Sequence, residues 1–492
     1  MSAIKRFLGQ AAIYGVTTVV SRMFNFILTP FFTVVFQPGI YSIFTKMYAS
    51  ASLINAILAF GMESTFFRYL NKHEDKKQEV YNNSFFCVAF LSLLFLLSGL
   101  VFAKPIAVHF SSGPEEVADY IKYVHYFVWL LFIDAICVIP FAKLRADEKP
   151  LRFSLIKFLN IGTFIGFNLT FLLAVPAIIR MGGSVGEWLA SWYREGWIGY
   201  VFISNLIASV LTFIMLIPEM LKLQLKFDQT LFGKMISYSW PVLVANLSFV
   251  INENLDKMIL EPLGVSAYNL GVYGAVCKIA VFLSLFITAF RLGAEPFFFS
   301  HAKNINARQT YATILNYFVV ALALIFVGLV ANIEILKHFI GPEYWVGLDA
   351  VPILLFGYVC LGIYSNLSIW YRLSDQTKYG LYISLVGAII TIVLNIALVP
   401  SFGFMGSAWV SLLAYFVMMV ISYILGQRNY PIPYDLKRIV SYLLVSLMLV
   451  SLSFWVFNRN LIIGNILLVA FAVGVFYFEK DQLKSILVKK QK

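Results

Sequence analysis

Charged residues are scarce in this sequence. Asp, Glu, Lys and Arg make up only 13% of its 492 residues, whereas soluble domains contain roughly 25%. Hydrophobic residues reach 60% and the mean hydropathy is +0.83, so a single soluble core could not enclose the apolar surface. The composition excludes a soluble globular protein and predicts an all-α polytopic membrane protein.

Cysteine is also rare. The four cysteines, Cys87, Cys137, Cys277 and Cys360, lie far apart within apolar runs, a spacing that fits neither a disulfide framework nor a zinc site. We expect them to be small core residues. The sequence also lacks a G-x-x-x-x-G-K-[ST] motif, which excludes a P-loop ATPase.

Large loops are absent as well. The longest predicted outer loop, about residues 177–196, contains "GEWLASWYREG" and is typical of an interfacial helix with an aromatic belt. A membrane enzyme such as a polysaccharide polymerase or ligase usually needs a sizeable outer loop with catalytic residues, and no base–nucleophile pair is visible here. We therefore expect neither catalysis nor a bound cofactor or metal.

Long apolar runs are what the sequence has in quantity. Fourteen of them are long enough to span a bilayer. They cover residues 8–37, 40–70, 83–104, 120–143, 151–176, 197–217, 235–261, 268–298, 311–340, 350–371, 379–399, 403–425, 438–457 and 461–478.

Basic residues fall mainly on one side of these spans. With a cytoplasmic N-terminus, the inner segments hold 24 Lys and Arg and the outer segments hold five. The outer five are Lys104, Arg180, Arg194, Lys337 and Arg459. The positive-inside rule therefore predicts that both termini are cytoplasmic. The net charge of +12 reflects inner loops and a basic, lipid-facing tail, so we expect membrane lipids rather than nucleic acid as partners.

One segment of the chain occurs twice. At a fixed offset of 232, residues 27–67 match the later copy at 12 of 41 positions. The matches include Gly61 with Gly293, Lys46 with Lys278 and Glu63 with Glu295. Six spans separate the copies, so both have the same orientation, as in transporters built from parallel repeats. The predicted units are an N-terminal lobe at 1–220, a C-terminal lobe at 221–430, and two further helices with a basic tail at 431–492.

With "RMFNFILTPFF" ahead of "GIYS" in the first repeat and fourteen spans arranged 6+6+2, the chain resembles the O-antigen type polysaccharide-export flippases. These belong to the multidrug/oligosaccharidyl-lipid/polysaccharide exporter superfamily. The resemblance covers essentially the whole chain. It implies two six-helix lobes that form a V around a central cavity opening alternately to each side of the bacterial cytoplasmic membrane. The implied substrate is an undecaprenyl-pyrophosphate-linked oligosaccharide, carried to the periplasmic leaflet by a monomer that works with polysaccharide polymerase or assembly proteins.

Basic and amide side chains within the spans are candidates for binding a pyrophosphate or acidic sugars. They are Arg22, Asn25, Lys46, Lys278 and Lys257. Arg22 lies near the middle of the first span, where a guanidinium suits a diphosphate, and Asn25 lies on the same face. The alternatives are an ion pair of Arg22 with Asp134 or Glu253, and snorkelling of Lys46 and Lys278 to the outer interface.

Three carboxylates within the spans are candidates for coupling transport to H⁺ or Na⁺. Asp134 lies in the fourth span, and Glu253 and Asp256 lie in the polar segment "NLSFVINENLDKMILEP" of the seventh. A helix this polar must line water or another helix. Lys257 follows Glu253 by four residues and can pair with it, so a static ion-pair network is the alternative interpretation.

The repeated motif G-x-E-x-x-F-F is interpreted first as structural. Gly61 and Gly293 permit close helix contact, and Glu63 and Glu295 tie the helix ends to basic partners. Arg291, four residues before Glu295, is one such partner, and Arg68 lies close to Glu63 in sequence. A gate on the cytoplasmic side is the alternative interpretation.

Two related functions remain open. A multidrug/cation antiporter of the same superfamily would favour carboxylates in its cavity, whereas the spans here carry about eight basic and six acidic residues. A lipid II flippase shares the fourteen-span layout. The sugar composition of the substrate and the coupling ion are not readable from the sequence.

Overall fold

The structure is a computed structural model that describes residues 17, 20, 23 and 26–489, without residues 112, 303 and 375. The described residues form helices and contain no strand. In the first part of the chain the α-helices are α1 (Phe26–Val35), α2 (Pro38–Ala59), α3 (Met62–Lys72), α4 (Lys77–Val101), α5 (Ala103–Phe110), α6 (Val117–Ala146), α7 (Pro150–Leu169), α8 (Val175–Met181), α9 (Gly183–Ala190), α10 (Gly199–Met220) and α11 (Gln229–Ile259). They are followed by α12 (Ala267–His301), α13 (Ala307–Ala331), α14 (Ile333–Leu336), α15 (Val351–Leu367), α16 (Ile369–Leu373), α17 (Lys378–Asn429), α18 (Leu436–Ser451) and α19 (Leu461–Lys489).

Two other kinds of helical turn interrupt this series. Short 3₁₀ helices cover Glu74–Lys76, Lys337–Phe339 and Pro342–Ala350. Single π-helical turns cover Thr170–Ala174 and Leu452–Val456. Each π turn directly continues an α-helix at the outer end predicted for its span.

Twelve helical stretches of the described chain are long and apolar enough to cross a membrane, which confirms the predicted all-α polytopic class. One of them, α17, has 52 residues, or about 78 Å at 1.5 Å per residue, more than twice the bilayer core. Gly403 interrupts it with φ 57° and ψ −146°, so α17 supplies two spans. Because α1 is the end of the first predicted run, whose beginning lies outside the described residues, the count of fourteen stays a prediction.

By internal packing the chain divides into two compact units, Met1–Ile259 and Leu260–Lys492. In the first unit, α6 packs against α4 and α10, and α11 packs against α2 and α3. In the second unit, α15 packs against α12 and α17, while α13 packs against α18 and α19. The lobe limits at 220 and 430 come from the sequence repeat and stay a prediction.

Local sequence sets where several helices begin. Pro38 occupies the first turn of α2, where its missing N–H costs nothing. The Asp228 carboxylate accepts a hydrogen bond from the Leu231 backbone N–H at 2.9 Å, and Asp435 does the same for Arg438 at 3.1 Å. Such caps satisfy backbone donors that have no partner within the helix. Three of the four cysteines are buried, and Cys277 is half-buried.

Candidate functional site

The first copy of G-x-E lies at a break between α2 and α3. Phe60 has φ 47° and Gly61 has φ 64°, a left-handed conformation that interrupts the helix and releases the Phe60 carbonyl. The Ser239 hydroxyl on α11 donates a hydrogen bond to that carbonyl. A Cβ at Gly61 would lie 2.9 Å from the Ser239 carbonyl oxygen. The glycine is therefore required both by its φ and by the close approach of α11.

Contacts on α3 extend this packing to the next turns. The Tyr69 hydroxyl donates to the Lys234 carbonyl at 2.7 Å. The Arg68 guanidinium carbon lies 4.2 Å from the centroid of the Tyr238 ring, a cation–π contact. The segment that follows the first G-x-E motif is thus held against α11 by polar and aromatic contacts.

The glutamate of each copy forms an ion pair within its own unit. Glu63 on α3 pairs with Arg145 near the end of α6. Glu295 on α12 pairs with Arg372 on α16, with 2.6 Å between Oε1 and a guanidinium nitrogen. In sequence the partners are separated by 82 and 77 residues. The two repeats therefore have the same internal connection, from the motif glutamate to an arginine at the end of a later span.

A small cavity adjoins the pair in the second unit. It has a volume of about 20 Å³, and its polar lining includes Arg291, Glu295, Asn366 and Arg372. This is room for about one water molecule. Arg291, the predicted neighbour of Glu295, therefore shares the cavity with the pair. Gly293 lies between them on a continuous helix, and a Cβ there would meet nothing within 4 Å.

Asp134 lies in a polar interior of the first unit. Its Oδ1 accepts a hydrogen bond from the Ser209 hydroxyl on α10 at 2.6 Å. Lys157 on α7 interacts with it electrostatically, and the lysine ammonium also lies 4.4 Å from the Phe141 ring centroid. The carboxylate and the ammonium thus interact electrostatically within the interior formed by α6, α7 and α10.

Neutral polar groups line the same interior. The Asn205 amide donates to the Tyr48 hydroxyl at 2.8 Å, and the Asn160 amide donates to the Thr212 hydroxyl at 3.0 Å. Amide and hydroxyl groups can exchange hydrogen bonds with a carboxylate, a proton carrier or a hydrated cation. The interior of the first unit therefore combines a carboxylate with neutral hydrogen-bonding groups, and its coupling to H⁺ or Na⁺ stays a prediction.

Lys46 is buried inside the first unit. Its ammonium donates to the Phe110 carbonyl at the end of α5, at 2.8 Å, and lies 5.0 Å from the Tyr120 ring centroid. A cation is favoured next to the carbonyl end of a helix. Its twin Lys278 is half-buried on α12. Substrate binding by either lysine stays a prediction.

The two candidate carboxylates in the polar segment of α11, Asp256 and Glu253, differ in burial. Asp256 is buried, and its Oδ1 lies 3.0 Å from the Lys257 ammonium. That ammonium also donates to the main-chain carbonyl of Glu253 at 2.7 Å, while the Glu253 side chain is exposed. Two further predicted residues, Arg22 and Asn25, lie outside the described residues.

A cleft of about 630 Å³ lies between α18 and α19. Its walls are mainly apolar, with Val445, Leu449 and Phe471 among them. At one end Arg438 pairs with the buried Glu479. The apolar walls match the chemistry of a lipid tail, while the Arg438 guanidinium is occupied by Glu479.

Sequence reasoning missed several residues of this network. The arginines Arg145 and Arg372 were counted only as inner-loop charges, because their offset of 227 differs from the 232 of the glutamates. A comparison of the repeats that allowed a gap would have aligned them. Glu219, which is fully buried and pairs with Arg152 at 2.9 Å, gave no signal because it lies beside loop charges. In the part of the chain that is described, no group of three His, Cys, Asp or Glu is placed to hold a metal ion.

Comparison with known families now identifies the chain. Residues 7–301 match the model of the family described as "Polysaccharide biosynthesis protein", which is more than half of the sequence. The chain belongs to this family. Residues 241–397 also match the MatE family. No curated protein matches the sequence.

Solved structures share the fold at low sequence identity. A lipid II flippase, MurJ, in an inward closed conformation, superposes with a TM-score of 0.70 and 16% identity over 96% of this chain and 100% of its own. An inward-facing multidrug resistance MATE family transporter of the MOP superfamily gives 0.61 and 13% over 86% and 95%. A MOP superfamily transporter from Pyrococcus furiosus, described as having a binding pocket of reverse polarity, gives 0.53 and 13% over 89% and 96%. This polysaccharide biosynthesis family protein is therefore a multi-pass membrane protein that shares its fold with these transporters.

Proposed function

We propose that this protein is a flippase that moves an undecaprenyl-pyrophosphate-linked oligosaccharide across the bacterial cytoplasmic membrane by alternating access. The observation that carries the proposal is the match of residues 7–301 to the polysaccharide biosynthesis family. The cleft between α18 and α19 supports a lipid-linked substrate, since its apolar walls suit a polyprenyl chain. The loop charges support cytoplasmic termini.

The polar interior around Asp134 supports coupling to an H⁺ or Na⁺ gradient. A carboxylate among hydroxyl and amide groups that interacts electrostatically with Lys157 can exchange a proton or cation during a transport cycle. The excess of basic residues in the spans favours an anionic substrate over a cationic drug.

The test is complementation of a bacterium that lacks its own O-antigen flippase. Wild-type protein, Arg22→Ala and Lys46→Ala/Lys278→Ala are expressed, and surface polysaccharide is measured with membrane levels of each variant. Lys104→Ala, at an exposed outer position, is the matched control. We expect rescue by wild type and the control, and loss of rescue in the first two variants. Resistance to cationic dyes without polysaccharide export would instead assign the protein as an antiporter.

A lipid II flippase is the second candidate, favoured by the superposition on MurJ along its full length. The same set of proteins is expressed in a strain depleted of its lipid II flippase. Growth rescue there, with no export in O-antigen hosts carrying different repeat units, would replace the oligosaccharide proposal.

A further inference from the structure

An aromatic cleft opens on the first unit at the side opposite the basic inner loops. It has a volume of about 500 Å³, and six of its nine lining residues are aromatic. The two basic residues in the lining are Lys122 and Arg194. Four residues of the "WLASWYREGW" segment line the cleft, and none of the transport residues above explains this segment.

The rings of the cleft are held in place by the local backbone. Phe171 lies in the π turn Thr170–Ala174, and its carbonyl accepts a hydrogen bond from the Tyr193 hydroxyl at 2.8 Å. The Tyr193 ring stacks on Tyr200 with 5.0 Å between centroids and 7° between planes. π turns occur frequently at functional sites. These stacked rings are pre-organised, so a ligand would not have to order them when it binds.

The Trp197 ring packs directly over Gly199, which has no side chain. A Cβ at Gly199 would lie 2.4 Å from the Trp197 indole, so only glycine lets the ring fold back over the start of α10. The indole then faces the basic residues, with Lys122 at 5.7 Å and Arg194 at 5.4 Å from its centroid.

The charged edge of the cleft has an excess of positive charge. Arg194 donates two hydrogen bonds to Asp119, at 2.7 and 2.8 Å, a bidentate pair. Lys122 lies 3.3 Å from the same carboxylate. One carboxylate thus faces two cations, and both cations remain about half exposed.

We propose that this cleft binds a short acidic oligosaccharide. Pyranose rings have apolar C–H faces, which stack on aromatic rings, and polar edges, which hydrogen-bond to charged groups. The cleft offers an aromatic floor with Trp188 and Trp192 exposed by 63% and 42%, and a cationic edge that complements a carboxylated sugar. A cleft of a few hundred Å³ with apolar walls and few polar groups is also the usual form of a small-molecule site.

This inference rests on the proposed function, because a flipped glycan would emerge at this face. The interfacial belt expected from the sequence is the competing explanation. A belt distributes single aromatic residues around the membrane surface, whereas here six rings share one concave site with a paired arginine.

The test measures binding of soluble trigalacturonate and maltotriose to the full-length protein in detergent, by calorimetry and saturation-transfer NMR. Trp188→Ala/Trp192→Ala removes two exposed rings, and Arg194→Gln removes the guanidinium. Trp455→Ala, at a tryptophan that is 50% exposed in the other π turn, is the matched control. We expect trigalacturonate to bind more tightly than maltotriose. The double variant should weaken binding about tenfold, the arginine variant should abolish the acidic preference, and the control should change nothing.

Absence of trigalacturonate binding, or equal loss in the Trp455 control, would overturn the proposal. So would a tryptophan fluorescence response to phosphatidylglycerol vesicles with none to the trisaccharide, which would assign the cleft to lipid. The outcome is separable from the flippase proposal. Polysaccharide rescue by a protein that binds no glycan would reject only the cleft, and glycan binding without rescue in any host would reject only the transport assignment.

Discussion

Asp134 and Lys157 are opposite charges enclosed by the helices of one unit, and each makes the other tolerable. We predict that Asp134→Asn lowers the free energy of unfolding by about 1–3 kcal/mol, because it leaves the Lys157 ammonium without a counter-charge. The amide of the variant can still accept the Ser209 hydrogen bond. Adding Lys157→Met should recover most of the loss. Unfolding in a denaturing detergent series measures both, and equal instability of the double variant would contradict the electrostatic explanation.

At the scale of single residues, the sequence predicted the acidic members of the ion pairs but not their basic partners. Asp134, Glu63 and Glu295 could be chosen from the sequence, because charge within an apolar run is costly and therefore conspicuous. Their partners could not, since Arg145 and Arg372 lie in loop-like, basic surroundings where a charge is ordinary. A contact over 82 residues depends on how helices pack, which local sequence does not specify.

The two copies of the G-x-E element have different shapes, and this gives a prediction with opposite signs. Gly61→Ala should destabilise the protein by about 1–2 kcal/mol, since alanine tolerates φ 64° poorly and its Cβ would clash with α11. Gly293→Ala should stabilise by about 0.5–1 kcal/mol, because the position is helical and open. Thermal unfolding of the two variants in detergent checks this. Destabilisation by both would show that the second copy also visits the broken form.

The ion pair between Lys76 and Asp228, in the predicted inner loop before α11, should make stability depend on pH. The hydrogen bond from Lys76 lowers the pKa of Asp228 below 3.8, and the same contact raises the pKa of Lys76 above 10.5. The stabilisation from the carboxylate is therefore present above pH 3.8 and lost as the pH falls through its lowered pKa. The stabilisation from the ammonium is present below pH 10.5 and lost as the pH rises through its raised pKa.

A double-mutant cycle with Lys76→Met and Asp228→Asn should give a favourable coupling at pH 7 that disappears in acid. The asparagine side chain of the second variant can still accept the hydrogen bond from the Leu231 N–H, so the cycle isolates the charge pair. A coupling energy that persists in strong acid would contradict the assignment of the coupling to the charge pair.

Elements differ in how well sequence predicts them. The interruption of α17 at Gly403 agrees with the sequence, because the predicted apolar run 379–399 ends and the run 403–425 begins there. The π turns at Thr170–Ala174 and Leu452–Val456 were not expected, since one extra residue in a turn leaves the apolar pattern almost unchanged.

For the whole molecule, the charge distribution predicts which loops face the cytoplasm. In a variant whose four cysteines are replaced by serine, Ser184→Cys should react with a membrane-impermeant maleimide in intact cells. Leu225→Cys, at a position that is 97% exposed, should react only after permeabilisation. Labelling in the reverse order would invert the topology and move the aromatic cleft to the cytoplasmic side.

The different shapes of the two G-x-E copies have a consequence for how the gene can change. A duplicated segment starts with the same constraint at both positions. Here Gly61 is fixed by its backbone conformation and by α11, whereas Gly293 is fixed by neither. Substitutions should therefore accumulate at Gly293 while Gly61 is retained. The sequences of the two copies should diverge first at this position, where their backbone conformations already differ.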